Sequence, residues 1–221
     1  MVQVPRRTGF SGSTLIRLLA RLTDIDVADS KRSFADRLSQ WLGWTDAITL
    51  SSALNGDVSN APLRVRSSPT AASTEENECK RVRTALVTAI NDTLAPARNA
   101  ATGTTTDFAP YRRRYLARQQ AMEIGIATLR KRVRTALATR SPAMAQLAAL
   151  DAVMEQALAT HEQRLLATVP GLLETYFKRL VQTGPEAWQE AFGKDMQSVL
   201  LAELEIRLQP VEGLLEALRE T

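Results

Sequence analysis

Residues 107–168 read DFAPYRRRYLARQQAMEIGIATLRKRVRTALATRSPAMAQLAALDAVMEQALATHEQRLLAT, and this stretch decides the predicted fold. Apolar side chains recur at alternating steps of three and four, apart from Gln119, and this spacing is typical of helices that pack side by side. Ser141 is suited to capping a helix and Pro142 to its first turn, so we expect a turn directly after Arg140. A connection this short forces the two helices to be antiparallel neighbours. The predicted seam between them consists of Tyr115, Met122, Ile126, Leu129 and Val133 on the first helix and Leu147, Met154, Leu158, His161 and Leu165 on the second.

Helical patterns also extend to both sides of this hairpin. Residues 13–22 place four leucines on one face behind Ser13, residues 30–54 repeat aromatic and apolar side chains at helical spacing, and residues 185–218 form a second run of three-four alternation. No stretch shows the period of two that is typical of strands. We therefore predict an all-α fold, an elongated helical bundle built on a long antiparallel, coiled-coil-like hairpin, with a smaller N-terminal helical unit.

Composition divides the chain into five predicted segments. Residues 1–54 form the N-terminal helical unit, and residues 55–74, rich in Asn, Gly, Pro, Ser and Thr, are expected to be a disordered linker. A connecting helix is predicted over 75–98, and 99–106 is a low-complexity link. Residues 107–221 hold the hairpin and the C-terminal helices.

The charge of the chain is unevenly distributed. The formal net charge is +4, but residues 1–140 hold 22 basic against 12 acidic side chains, whereas residues 141–221 hold 6 against 12. Such polarity can steer a charged partner. It can equally be neutralised inside the fold if basic and acidic helices lie side by side.

The titratable side chains suggest no catalytic or metal site. Cys79 is the single cysteine, so an intramolecular disulfide is excluded and nothing points to an oxidising compartment. Because His161 is the only histidine, a second imidazole is not available for a catalytic pair or a multi-histidine metal site. We expect no cofactor and no catalytic residue. Since no run of about 20 apolar residues is present, we also expect a cytoplasmic chain that does not itself span a membrane.

Two functions are compatible with this pattern. The first is a non-enzymatic scaffold or adaptor that binds a protein partner or self-associates through its apolar seams. The alternative is binding of nucleic acid or an anionic surface by the basic helix 111–140, which carries two groups of cations about eighteen residues apart and Glu123 as its only acid. The predicted contacts of that alternative are Arg112, Arg113, Arg114, Arg118, Arg130, Lys131, Arg132 and Arg134.

Two long segments resemble a known family. They are LLARLTDIDVADSKRSFADRLSQWLGWTDAITLSSAL at 18–54 and YRRRYLARQQAMEIGIATLRKRVRTALATRSPAMAQLAALDAVMEQALATHEQRLLATVPGLLETYFKRL at 111–180. Together they are similar to an uncharacterised bacterial family catalogued as a domain of unknown function, DUF3348. The resemblance implies a bacterial origin and an accessory role in association with a membrane-anchored complex, and it supplies no catalytic residue.

Overall fold

The structure, a computed structural model, describes residues 13–25, 33–55, 70–92, 107–184 and 188–220. These ranges are helical and contain no strand, which confirms the predicted all-α class. Their helices are α1 (Thr14–Thr23), α2 (Phe34–Trp41), α3 (Trp44–Asn55), α4 (Thr70–Asp92), α5 (Ala109–Ala138), α6 (Pro142–Leu166), α7 (Val169–Thr183) and α8 (Trp188–Arg219).

Helices α5 and α6 form the predicted antiparallel hairpin. The Ser141 hydroxyl accepts a hydrogen bond from the Met144 amide, and Pro142 occupies the first turn of α6, so capping and proline geometry start the second helix where the sequence indicated. Side chains near the end of α5 contact the beginning of α6, as in the ion pair of Arg130 with Asp151. Gln119, early in α5, instead donates to the carbonyl oxygen of Leu166 at the end of α6.

The apolar stripe of α5 is buried, but α6 is not its main cover. Tyr115, Met122, Ile126, Leu129 and Val133 are each at most 6% exposed. Their helix packs most extensively against α8, and also against α6 and α4. The assignment of this stripe to the hairpin seam alone was therefore wrong, because α5 is the central helix of the bundle and several helices share its apolar side.

The α6 half of the predicted seam is shifted from the expected positions. Leu147, Met154, Leu158 and His161 are only partly buried, and Leu165 is 61% exposed, so its assignment to the seam was wrong. The buried residues of α6 are Ala148 and Leu166. A straight α-helix drifts by roughly 20° per heptad relative to a strict seven-residue repeat, so after two or three heptads the adjacent residue replaces the expected one.

Helix α8 completes the core. It continues through Pro210 as one helix and buries a broad face, while Glu205, Gln209, Glu212 and Glu216 are exposed on the other side. Gln197 pairs with Asn91 and Arg219 with Glu76, so α8 runs antiparallel to α4. At one end of the bundle the rings of Phe108, Tyr111, Tyr176, Phe177, Trp188 and Phe192 pack against one another with centroid separations of 5.0–6.1 Å.

The N-terminal helices dock at two separate places. Helix α1 packs on α7 and α8, where the Arg179 guanidinium donates to the Leu22 carbonyl oxygen, whereas α2 and α3 pack on α6. They are thus held by the bundle rather than mainly by one another. Asn55 is helical and α4 begins at Thr70, so both ends of the segment predicted as linker are helical; residues 56–69, like 93–106, lie outside the described ranges.

No described helix has the length and apolarity that a membrane crossing requires.

Candidate protein-binding surface

Three of the four cations in the second group on α5 pair with acidic residues of neighbouring helices. Arg130 and Arg134, with side chains only 13% and 16% exposed, both pair with Asp151 of α6, and Arg134 also contacts Glu155 at 2.5 Å. Arg132 pairs with Glu75 of α4 at 2.7 Å. These three arginines were predicted as anion contacts, and that prediction was wrong for Arg130 and Arg134 because acidic residues of a neighbouring helix already occupy their donors.

The first group of cations remains at the surface. Arg112, Arg113 and Arg114 are exposed in the first turns of α5, and none has an ion pair with a described residue. Lys131 is also exposed, while Arg118 is half-buried and its Nε has no hydrogen-bond partner among the described residues. The predicted pair of cationic groups therefore reduces to one group of three arginines and an isolated lysine.

A buried polar network joins α5 to α8. Glu203 is fully buried and accepts hydrogen bonds from the Tyr115 hydroxyl at 2.6 Å, from Gln119 Nε2 at 3.0 Å and from Arg207 Nε at 2.9 Å. Burial, followed by the charge of Glu203, raises the pKa of Tyr115, so this phenol stays protonated as a donor. Arg207 also contacts the half-exposed Glu162 of α6, which connects the network to the surface.

This network fixes the alignment of the central helices. A buried carboxylate is tolerated only where donors surround it, and sliding α8 along α5 would separate Glu203 from Tyr115 and Gln119. The sequence carries a partial signal for this network, since Gln119 interrupts the apolar spacing of α5. Glu203 gave no such signal, because an acidic residue in a leucine-rich helix is normally assigned to the side of the helix that faces solvent.

A groove of about 420 Å³ lies between α4 and α8. Its walls are tied by ion pairs of Arg83 with Glu212 and of Arg219 with Glu76. Cys79, 8% exposed, lies beneath them, and burial raises the pKa of its thiol. A thiol with a raised pKa is a poor nucleophile at neutral pH, so this groove offers no reactive cysteine.

Large exposed apolar side chains are more numerous on α3 and α6 taken together than on the other described helices. Among the described residues seven large apolar side chains are exposed, and four of them lie on these two helices. Trp44 is 82% exposed and Ile48, one turn later, is 51% exposed; we call this pair the α3 outer face. Leu54 and Leu165 are the other two, at 53% and 61%.

Helices α2 and α3 contact α6 at both ends of the pair. The Trp41 ring, at the end of α2, stacks on His161 with the centroids 5.3 Å apart. Near the other end, Gln146 Nε2 donates to the carbonyl oxygens of Ala53 and Leu54 at 3.3 and 2.6 Å. His161, which was predicted for the seam with α5, instead stacks on Trp41 of α2, so its assignment to that seam was wrong.

No group of three or more potential metal-ligating side chains occurs within the described residues.

Fold and surface together define a helical bundle with an apolar outer face at one side. The chain belongs to the family described as a protein of unknown function (DUF3348), whose model matches residues 1–220, in agreement with the resemblance seen in the sequence. No curated protein and no solved structure matches the chain.

Proposed function

We propose that the protein is a non-enzymatic helical adaptor of the bacterial cytoplasm that binds another protein, a second copy of itself included. The observation that supports this proposal is the α3 outer face. A tryptophan that is 82% exposed costs solvation free energy unless a partner covers it, and tryptophan is among the residues most enriched at binding hot spots. Coverage of Trp44 and Ile48 by a partner would remove both side chains from water.

Site-specific photocrosslinking tests the proposal. Trp44 is replaced by p-benzoylphenylalanine in the full chain, expressed in bacterial cells and illuminated; the control carries the same group at Thr49, which is exposed on a different side of α3. We expect a discrete protein adduct at position 44 and none at position 49. An adduct with the chain itself indicates self-association, and one with another protein indicates an adaptor. Illumination without any position-specific adduct would rule the proposal out.

A second candidate function rests on Arg112, Arg113 and Arg114. Three adjacent exposed arginines without ion pairs to described residues favour contact with a polyanion, because each neutralised phosphate releases counterions. Helix α5 would then bind the backbone of a nucleic acid without reading its sequence.

A salt series on duplex DNA tests this candidate. The variant with all three arginines changed to Gln is compared with a control that loses the same charge at Arg17, Arg81 and Arg164, which are exposed elsewhere. We expect affinity to fall steeply with salt and to be lost only in the first variant. Binding to anionic vesicles but not to DNA would indicate a membrane surface instead, and equal losses in both variants would mean that net charge alone is responsible.

A further inference from the structure

Helices α2 and α3 are the least buried part of the described chain. No residue of α3 is buried, and none of the described side chains of α2 is. By contrast α1, a helix of similar length, buries Leu15 and Leu22 to 5% and 4% exposure. Because local stability follows the buried apolar contacts of an element, we expect α2 and α3 to detach from the bundle more readily than α1.

Both flanks of this pair are anchored elsewhere. Helix α1 is fixed on α7 and α8, with Arg179 bonded to the Leu22 carbonyl oxygen, and α4 is fixed on α5 and α8, with Ile90 only 1% exposed. Detachment of α2 and α3 from α6 therefore breaks the Trp41–His161 stack and the two Gln146 hydrogen bonds, while the anchors of α1 and α4 remain.

The surface beneath the pair suits a helix. Between the two contact points, Gln146 and His161, residues that are three or four positions apart lie on one side of α6. We call these positions the α6 outer stripe: Gln146, Leu150, Val153, Ala157 and His161. All five are partly buried in the presence of α2 and α3. The three residues between the contact points are apolar, and the small side chain of Ala157 lets another helix approach closely.

The contacts of the pair show what the stripe accepts. Trp41 lies over His161 and residues 53 and 54 lie over Gln146, so the pair runs antiparallel to α6. One end supplies an aromatic ring, and the other supplies the free carbonyl oxygens found at every helix C-terminus. A partner helix with an aromatic side chain near its start and an apolar face would satisfy the same positions.

We infer that α2 and α3 form a displaceable cover over α6, and that the α6 outer stripe, when uncovered, binds an amphipathic helix of a partner protein with an aromatic side chain on His161. This inference rests on the proposed function, since it assumes a protein partner. It concerns a different surface from the α3 outer face, so the two can fail separately. While the cover is closed, the apparent affinity for the partner is reduced by the fraction of molecules that are open.

The probe for this inference is a fluorescein-labelled peptide with the sequence of residues 33–55, which carries the features that the stripe already accepts. Its binding to the full chain is followed by fluorescence polarisation. Trp41→Ala removes the ring stack and opens the cover without altering α6. Thr49→Ala is the control, because Thr49 is exposed on α3 but does not belong to the α3 outer face.

A covalent lock supplies the second arm. In a Cys79→Ser chain, Leu54→Cys and Gln146→Cys are joined by a short bismaleimide, since the Gln146 side chain contacts the backbone of residue 54. The same chain without the cross-link is the control, so any direct effect of the substitutions cancels.

We expect the Trp41→Ala chain to bind the peptide at least about tenfold more tightly than the wild type or Thr49→Ala, in line with a rise in the open fraction. Cross-linking should abolish the binding shown by the unlinked double-cysteine chain. The inference is overturned if Trp41→Ala binds no better than the wild type and Thr49→Ala, or if the cross-linked chain binds as tightly as the unlinked one.

Discussion

Among individual side chains, Tyr115 tests the buried network most directly. Tyr115→Phe keeps the ring but removes the donor at 2.6 Å from Glu203, so a buried carboxylate loses one of its partners. We expect the free energy of unfolding to fall by about 1–2 kcal/mol, measured by urea denaturation. Tyr111→Phe is the control, because the Tyr111 hydroxyl makes no hydrogen bond to the described residues. Equal losses in both variants would show that the network adds no stability.

The three tyrosines also predict a loss of stability in alkali. Burial raises the pKa of Tyr111 and Tyr115, and burial with the hydrogen bond to Asp195 raises that of Tyr176 to about 12. The folded state therefore prefers the protonated phenols. The contribution of these phenols to the free energy of unfolding is fully present below the ordinary tyrosine pKa of about 10. It decreases as the pH rises towards 12.

The ultraviolet absorbance of the tyrosinate form measures this shift. At pH 10 the native chain should show much less absorbance than the chain in denaturant. Half-ionisation of the native chain at pH 10 would contradict the assigned environments, in particular that of Tyr176.

The sequence predicted which side chains of α5 are buried better than it predicted which helices cover them. The burial of the five apolar residues in its stripe could be predicted, because a period near 3.5 identifies the side of a helix that is removed from water. It carries no information on which helix covers that side, and α8 rather than α6 is the main cover. Glu203 was not recognised for a related reason: only the fold brings Tyr115, Gln119 and Arg207 around it.

The ion pairs between α5 and α6 can be tested for their contribution to the free energy of unfolding. Asp151→Ala leaves Arg130 and Arg134 with Glu155 as their remaining acidic partner, while both guanidinium groups stay mostly buried. We expect a loss of roughly 2–3 kcal/mol, less than for an isolated buried charge because Glu155 still pairs with both. Chemical denaturation measures it, with Glu190→Ala as control, since that residue pairs with Lys194 on the surface. A loss no larger than that of the control would show that the pairs add nothing.

Two glycines predict opposite effects on helix stability. A Cβ at Gly125 of α5 would lie 3.8 Å from Val82 Cγ1 and 4.0 Å from Leu86 Cδ1, which is ordinary contact, so Gly125→Ala should stabilise by about 0.5–1 kcal/mol. Gly184 ends α7 at φ +63°, so Gly184→Ala should destabilise by roughly 1 kcal/mol. Thermal unfolding of both variants checks the signs. A lower midpoint for Gly125→Ala would mean that α4 and α5 lie closer than described.

The start of α6 and the end of its apolar stripe show how far local signals reach. The cap at Ser141 and the proline at 142 act within one turn, and the structure begins α6 where they indicated. The assignment of Leu165 to the seam was wrong because small differences between a seven-residue repeat and the true helical period accumulate with length. The dual docking of the N-terminal helices was also beyond reach, since it depends on contacts between residues more than a hundred positions apart, such as Arg179 with Leu22.

For the molecule as a whole, stability should be uneven. Residues 33–55 bury no described side chain, whereas α5 and α8 hold most of the core. We expect native-state hydrogen exchange to be at least about tenfold faster in α2 and α3 than in α5, because their amides open without disturbing the bundle. Mass spectrometry of peptic fragments measures this, with α1 as an internal reference for a short but anchored helix. Equal protection of α1 and α3 would contradict the difference in burial.

The position of α8 in the chain has a consequence for biosynthesis. It packs more extensively on α5 than any other described helix does, and it is the last of the described helices to be translated. Until residues 188–219 have been translated, the stripe from Tyr115 to Val133 lacks that cover, and Glu203 is not yet there to accept the Tyr115 and Gln119 hydrogen bonds. The apolar stripe of a nascent chain should therefore stay accessible, and folding of the bundle should remain incomplete, until α8 has been translated.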